Sequence, residues 1–138
     1  MNEEIIELIN KYEKDGDFTY ANISDEVIKD SEKVLGVKLP EQYVSFLKLY
    51  GHGGICGIET LGVGLTGRPI FVNVTLDYRN EGLPKNYVAI ENVDEWINCI
   101  DCKTGKIVSW DLCGYIQEDY ECFDDYLIDQ MNNAIENI

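Results

Sequence analysis

Leu35-Gly36-Val37-Lys38-Leu39-Pro40-Glu41-Gln42-Tyr43-Val44-Ser45-Phe46-Leu47-Lys48-Leu49-Tyr50-Gly51-His52-Gly53-Gly54 reads as the close of one helix, a short turn, a whole second helix and a glycine cluster. Gly36 can take the left-handed conformation that closes a helix. Pro40 has no N–H to leave unpaired and so suits the first position of the next helix. Tyr43, Phe46, Leu47 and Tyr50 then recur at the spacing of a single buried helical face, and Gly51 ends the helix. From Gly51 to Gly67 glycine is too frequent for another long helix, and residues 55–58 are the one short strand expected there.

Toward the N-terminus, Ser24 opens the helix that Gly36 closes, with Val27, Ile28, Ser31, Val34 and Leu35 expected to face inward. Before it, Ile5, Leu8, Ile9 and Tyr12 mark an amphipathic helix that Asn2 can cap. That helix ends near Asp15-Gly16-Asp17.

Toward the C-terminus, residues 70–79 fit two patterns. Ile70, Val72, Val74, Leu76 and Tyr78 alternate as in a half-buried strand, while Val72, Leu76 and Arg79 fit one face of a helix. After the turn Glu81-Gly82-Leu83-Pro84, residues 87–90, 96–100 and 107–110 read as three antiparallel strands, the last two joined across residues 101–106. Leu127, Met131, Ala134, Ile135 and Ile138 mark a closing helix with Asp124 and Asp125 in its first turn, where the helix dipole favours acids. The expected architecture is α+β, an antiparallel meander backed by N-terminal and C-terminal helices. At 138 residues a single domain, 1–138, is expected.

Charge is the most informative feature of the composition. Asp and Glu number 26 against 11 Lys and Arg, a formal net charge of −15. Neither a basic run nor a basic stripe is present, which argues against direct binding of nucleic acid. An anionic membrane surface would repel the chain, so no membrane partner is expected. The start Met1-Asn2-Glu3-Glu4 lacks the basic and apolar regions of a secretion signal, and the expected location is the cytoplasm. A basic protein is the partner such a field attracts.

Catalytic and metal chemistry find little support. Gly62-Val63-Gly64-Leu65-Thr66-Gly67 matches G-x-G-x-x-G, but Arg68-Pro69 and a β-branched run follow where a dinucleotide fold needs a helix opening, so a flexible loop is the simpler reading. Gly51-His52-Gly53-Gly54 resembles an esterase oxyanion loop, yet no G-x-S-x-G nucleophile elbow accompanies it. His52 is the single histidine, so any histidine-dependent nucleophile would have to use it. Cys99, Cys102, Cys113 and Cys122 only superficially resemble a four-thiolate zinc site, because Cys113 and Cys122 lie too far apart for a knuckle. No catalytic residue, metal or cofactor is expected. Acids and aromatics do gather in two places: Asp94 and Glu95, with Glu91, before Trp96; and Glu118, Asp119 and Glu121, with Asp124 and Asp125 of the closing helix, among Tyr115, Tyr120 and Tyr126. Tyrosine offers rigid contact area with a polar tip, and these eight residues, leaving Glu91, Asp124 and Asp125 aside, form the candidate partner-binding set.

The arrangement Ile28-x-x-x-Glu32-x-x-Leu35-Gly36-x-x-Leu39-Pro40-x-x-Tyr43-x-x-Phe46-Leu47, running into Gly51-x-Gly53-Gly54, resembles the signature of the SUKH superfamily. Gly82-Leu83-Pro84, Tyr87-Val88-Ala89-Ile90, Gly105-Lys106-Ile107-Val108-x-Trp110-Asp111 and Phe123-x-x-Tyr126-Leu127 resemble its later strands and closing helix. The resemblance implies a helix over 72–79, a sheet backed by helices, and the role of an immunity protein that binds a secreted polymorphic toxin, often a nuclease. It also implies an alternative, since fungal relatives regulate cell-wall assembly. It carries over no catalytic residues, no interface and no oligomeric state.

Overall fold

The computed structural model describes residues 1–138. Nine elements follow one another: α1 (Glu3–Tyr12), α2 (Asp25–Leu35), α3 (Glu41–Leu49), α4 (Ile70–Arg79), β1 (Tyr87–Val93), β2 (Trp96–Asp101), β3 (Ile107–Trp110), β4 (Ile116–Tyr120) and α5 (Phe123–Glu136). The helices form where period and caps agree. The Asn2 side chain accepts a hydrogen bond from the Glu4 amide at 2.8 Å, starting α1, and Gly36, at φ +69°, closes α2. Pro40 lies one position outside α3, as its N-cap. The apolar face of α3 is the middle of the core. Tyr43 meets Phe71 of α4 and Phe123 of α5 edge-on, with ring centroids 5.5 and 5.3 Å apart, and its hydroxyl donates to the Leu61 carbonyl at 2.6 Å. A single hydrophobic core runs from Ile5 to Met131 and draws on every helix and on β1, β2 and β3.

Residues 70–79 are helical, the outcome implied by the resemblance and by one of the two sequence patterns. Phe71, Val72 and Thr75 are buried, whereas Ile70, Val74 and Tyr78, which a strand would have turned inward together, pack only at the margin. The β-branched run carries strand propensity, but packing overrides it. Thr75 shows how. Its hydroxyl donates back to the Phe71 carbonyl at 2.7 Å and accepts the Ala89 amide of β1 at 3.0 Å, tying the helix to the sheet edge.

Two further expectations are corrected. Residues 55–58 form a tight turn closed from the Ile58 amide to the Ile55 carbonyl, because Cys56 and Gly57 both adopt positive φ, which no strand residue does. Val34 is 58% exposed rather than inward-facing.

The sheet is an antiparallel meander in the order β1-β2-β3-β4. Asn98 of β2 stands between Glu91 of β1 and Ser109 of β3, and Ser109 in turn faces Gln117 of β4. Its two edges differ. The β1 edge is covered by the Thr75 contact and by the Leu61 amide, which donates to the Ile90 carbonyl at 2.8 Å. β4, which the sequence reading did not anticipate, is the other edge, and no element pairs with its outer side.

The glycine-rich connection is packed rather than flexible. The Val63 amide donates to the Gly51 carbonyl at 2.8 Å, and Gly53 exchanges both backbone bonds with Thr60 at 3.0 Å. These crossings leave no room for side chains. A Cβ on Gly62 would lie 1.8 Å from the Gly51 carbonyl oxygen, and one on Gly53 would lie 2.0 Å from that of Asp17. The G-x-G-x-x-G match is therefore a backbone crossing, and α4 opens only after it, at Ile70.

His52 belongs to the same construction. Its Nδ1 accepts the Gly62 amide at 2.9 Å, so its hydrogen bond serves the loop and not a hydroxyl or thiol nucleophile. Burial lowers its pKa below the usual 6.5, with Glu59 opposing. The folded protein thus resists protonation at His52 while the unfolded chain accepts it. Stability from this group is present above about pH 6.5 and declines as pH falls toward the lower folded value. His52→Asn, which keeps an acceptor and cannot titrate, is expected to flatten that decline. Urea midpoints measured from pH 7.5 to 5.0 check it, and parallel slopes for the two proteins would refute it.

Candidate partner-binding groove

The open end of the sheet carries a groove of about 590 Å³. It is lined by the aromatic residues Trp96, Trp110, Tyr115 and Tyr120 and by the carboxylates Glu95, Asp111 and Asp119, with no lysine, arginine or histidine among its walls. Its shape comes from local chemistry in the β3–β4 hairpin. The Asp111 carboxylate accepts the Cys113 amide at 2.9 Å and the Tyr115 amide at 3.1 Å, an Asx-type turn that Gly114 completes at φ +83°. The turn leaves Leu112 66% and Tyr115 65% exposed, with Ile116 and Trp96 also open to solvent. These exposed apolar groups stand beside the acids Glu95, Asp111 and Asp119 that line the same groove.

A hydrogen-bonded chain runs beneath the floor. The Trp96 indole N–H donates to Asn98 Oδ1 at 3.2 Å, the Asn98 amide donates to Glu91 at 2.7 Å, and the Tyr126 hydroxyl donates to the same Glu91 oxygen at 2.6 Å. Burial, reinforced by Glu91, raises the Tyr126 pKa well above its ordinary value, so the phenol stays a donor throughout the physiological range. The chain fixes the Trp96 ring from its buried side. On the far wall the Ser109 hydroxyl donates to Asp119 at 2.7 Å, and Tyr120 donates to Asp129 of α5. Burial and that bond push the Tyr120 pKa up to about 12. Each ring is thus tied by a hydrogen bond from its polar atom, Trp96 to Asn98 and Tyr120 to Asp129.

The structure sorts the eight expected residues. Glu95, Tyr115, Asp119 and Tyr120 line the groove together. Glu118 lies on the same strand but pairs with Lys106 at 2.9 Å, so part of its charge is already answered. Glu121 is exposed between β4 and α5, and Asp94 sits beside Glu95 in the β1–β2 turn. Tyr126 departs from expectation: it is fully buried and offers a partner no surface, acting instead through Glu91. Trp96, Asn98, Ser109, Trp110, Asp111, Gln117 and Gln130 complete the groove and were not among the expected residues. Asp111 and Gly114, four-residue-turn chemistry between Trp110 and Tyr115, were the available signal for the hairpin that gathers them.

Basic groups lie elsewhere. Lys38, Lys85 and Lys103 line a separate cavity of about 280 Å³ near Gly36 and Cys102. No three His, Cys, Asp or Glu side chains come together as a metal-ligand set. Cys99 is buried in the core, and burial pushes the Cys102 thiol up to about 12. No helix is long and apolar enough to cross a membrane.

Comparison with known proteins agrees with the family signature in α2 and α3. Residues 2–132 match the SUKH_5 family, described as SMI1-KNR4 cell-wall, and the chain belongs to this family. The fold is similar to that of a crystal structure of a protein from Pseudomonas syringae pv. tomato, with a TM-score of 0.71 at 17% identity over 88% of this chain and 91% of that one.

Proposed function

We propose that this protein is an immunity protein: it binds a basic toxin domain directly, in the cytoplasm of the cell that makes the toxin, and blocks it without any turnover of its own. The observation that carries the reading is the groove, four aromatic residues and three carboxylates with no cation, on a chain of net charge −15 in a family compatible with this role. A nuclease is the toxin class that best fits. Enzymes that grip phosphate present basic clefts, and an acidic surface with rigid rings can cover such a cleft or compete with its substrate. The family's cell-wall description favours one other reading, a non-enzymatic adaptor that binds a regulatory protein.

Gene context separates the two, since an adjacent gene for a large secreted protein with a C-terminal nuclease domain marks immunity. The direct test is co-expression of this chain with that domain. Cells are expected to survive, and the two purified proteins to form a complex at micromolar concentration in low salt. Death of the cells despite abundant folded protein, or absence of a complex, would overturn the reading.

A further inference from the structure

We propose that the partner docks by strand addition: an extended segment of a basic protein pairs with the outer edge of β4 and lays arginine or lysine side chains into the adjoining groove. This rests on the reading of a basic partner and specifies how it is held.

Three observations converge. First, β4 has a free edge. It ends the sheet, its backbone bonds run only to β3, and its side chains from Ile116 to Asp119 are all exposed. Such an edge displays unpaired N–H and C=O groups that template another strand. Second, the opposite edge is covered at its middle, where Thr75 bonds Ala89 and Leu61 bonds Ile90.

Third, the edge is guarded by acids. Exposed edges are commonly protected by lysine, whereas here Glu118 and Asp119 lie on the strand and Glu121 just beyond it. Pairing β4 with β4 of a second copy would set these acids against one another across the ladder, in a chain already at −15. A strand bearing Lys or Arg meets the opposite condition. Lys106, from the β3 side, already pairs with Glu118, an intramolecular instance of a cation answering these acids.

Reach is sufficient. An added strand lies about 4.8 Å outside β4 and turns alternate side chains to the groove face along residues 116–118, before the bulge where the pairing passes from Val108↔Glu118 to Ile107↔Tyr120. An arginine can cross that spacing to Asp119 or Asp111 and lie over the ring of Tyr115, at the end of the β3–β4 hairpin, as a cation–π contact. Leu112 and Ile116 offer apolar contact to the intervening residues. The matching partner sequence is therefore basic at every second position with β-branched residues between.

The test uses blocked eight-residue peptides alternating Arg and Val, added to the full-length protein and followed by amide hydrogen exchange and NMR. Two further versions carry N-methyl groups on one or the other alternate set of amides, and a fourth replaces Arg with Glu. Strand addition predicts new protection of the outward-facing amides within Ile116–Tyr120. It also predicts about tenfold weaker binding when one methylated set is used and little change with the other, and no binding of the Glu peptide. Shifts at Trp96, Tyr115 and Asp119 without protection of β4, and with indifference to methylation, would overturn strand addition and leave the basic-partner reading standing. No shifts with any Arg peptide at millimolar concentration would overturn the proposal. So would β4 protection that rises with protein concentration alone, which would identify a second copy as the occupant.

Discussion

Gly62→Ala is expected to lower the stability of the protein by about 3 kcal/mol, the upper part of the range for overpacking a closed site, and its melting temperature by roughly 10 °C. The new methyl group would stand 1.8 Å from the Gly51 carbonyl oxygen. That atom is backbone and already accepts the Val63 amide, so relief requires two chain segments to separate. The other glycines of the same motif serve as internal controls. Around Gly67 an added Cβ meets nothing within 4 Å, and only its φ of +81° opposes substitution, a cost of about 1 kcal/mol. At Gly64 the nearest atom, 3.3 Å away, is the end of the Ile70 side chain, which can shift. Thermal unfolding of the three alanine variants checks the order. A phosphate-cradling loop would instead leave all three folded and weaken only ligand binding, so equal melting temperatures would refute the packing account.

Binding kinetics should divide between charge and rings. Reversing Asp119 and Glu121 to Lys removes acids that no lysine or arginine bridges, and is expected to lower the association rate with the basic partner about tenfold at low salt. Raising ionic strength should erase most of that difference, since the screening length is about 10 Å at 0.1 M. Reversing Glu118 should do less, because Lys106 already answers it. Trp96→Ala should instead act on dissociation. A rigid ring held by Asn98 from below is the kind of anchor whose loss costs about 2 kcal/mol, roughly a thirtyfold faster off-rate. Stopped-flow and surface-binding measurements on the wild type and the three variants separate the two effects. Binding that survives them all would move the interface away from the groove.

The helical half of the fold was legible because caps and period agreed there, as at Asn2, at Gly36 and along Tyr43 to Tyr50. Residues 70–79 were ambiguous for a physical reason. Their β-branched residues satisfy a strand locally, and only contacts with the distant core and with Ala89 favour the helix. β4 escaped notice because Ile116-Gln117-Glu118-Asp119-Tyr120 buries no alternate face, so a hydrophobic pattern had nothing to report. The acid and tyrosine clusters were visible as composition, and four of the expected residues do line one groove. Tyr126 was misplaced because its closing-helix position, not its neighbourhood in sequence, decides its burial. Trp96 and Trp110 read as strand residues, and their gathering around one groove depends on the register across three strands.

The hairpin that bears the groove wall owes its shape to bonds within itself, from Asp111 to Cys113, Gly114 and Tyr115, and four of the five β4 residues are exposed. Substitutions at such positions usually change stability by less than about 0.5 kcal/mol. On the proposed function, the residues that would meet a partner are nearly uncoupled from those that make the chain fold. Leu112 through Asp119 can change residue by residue, with Asp111 and Gly114 kept, while Tyr43, Phe71 and the glycine crossing stay fixed beneath.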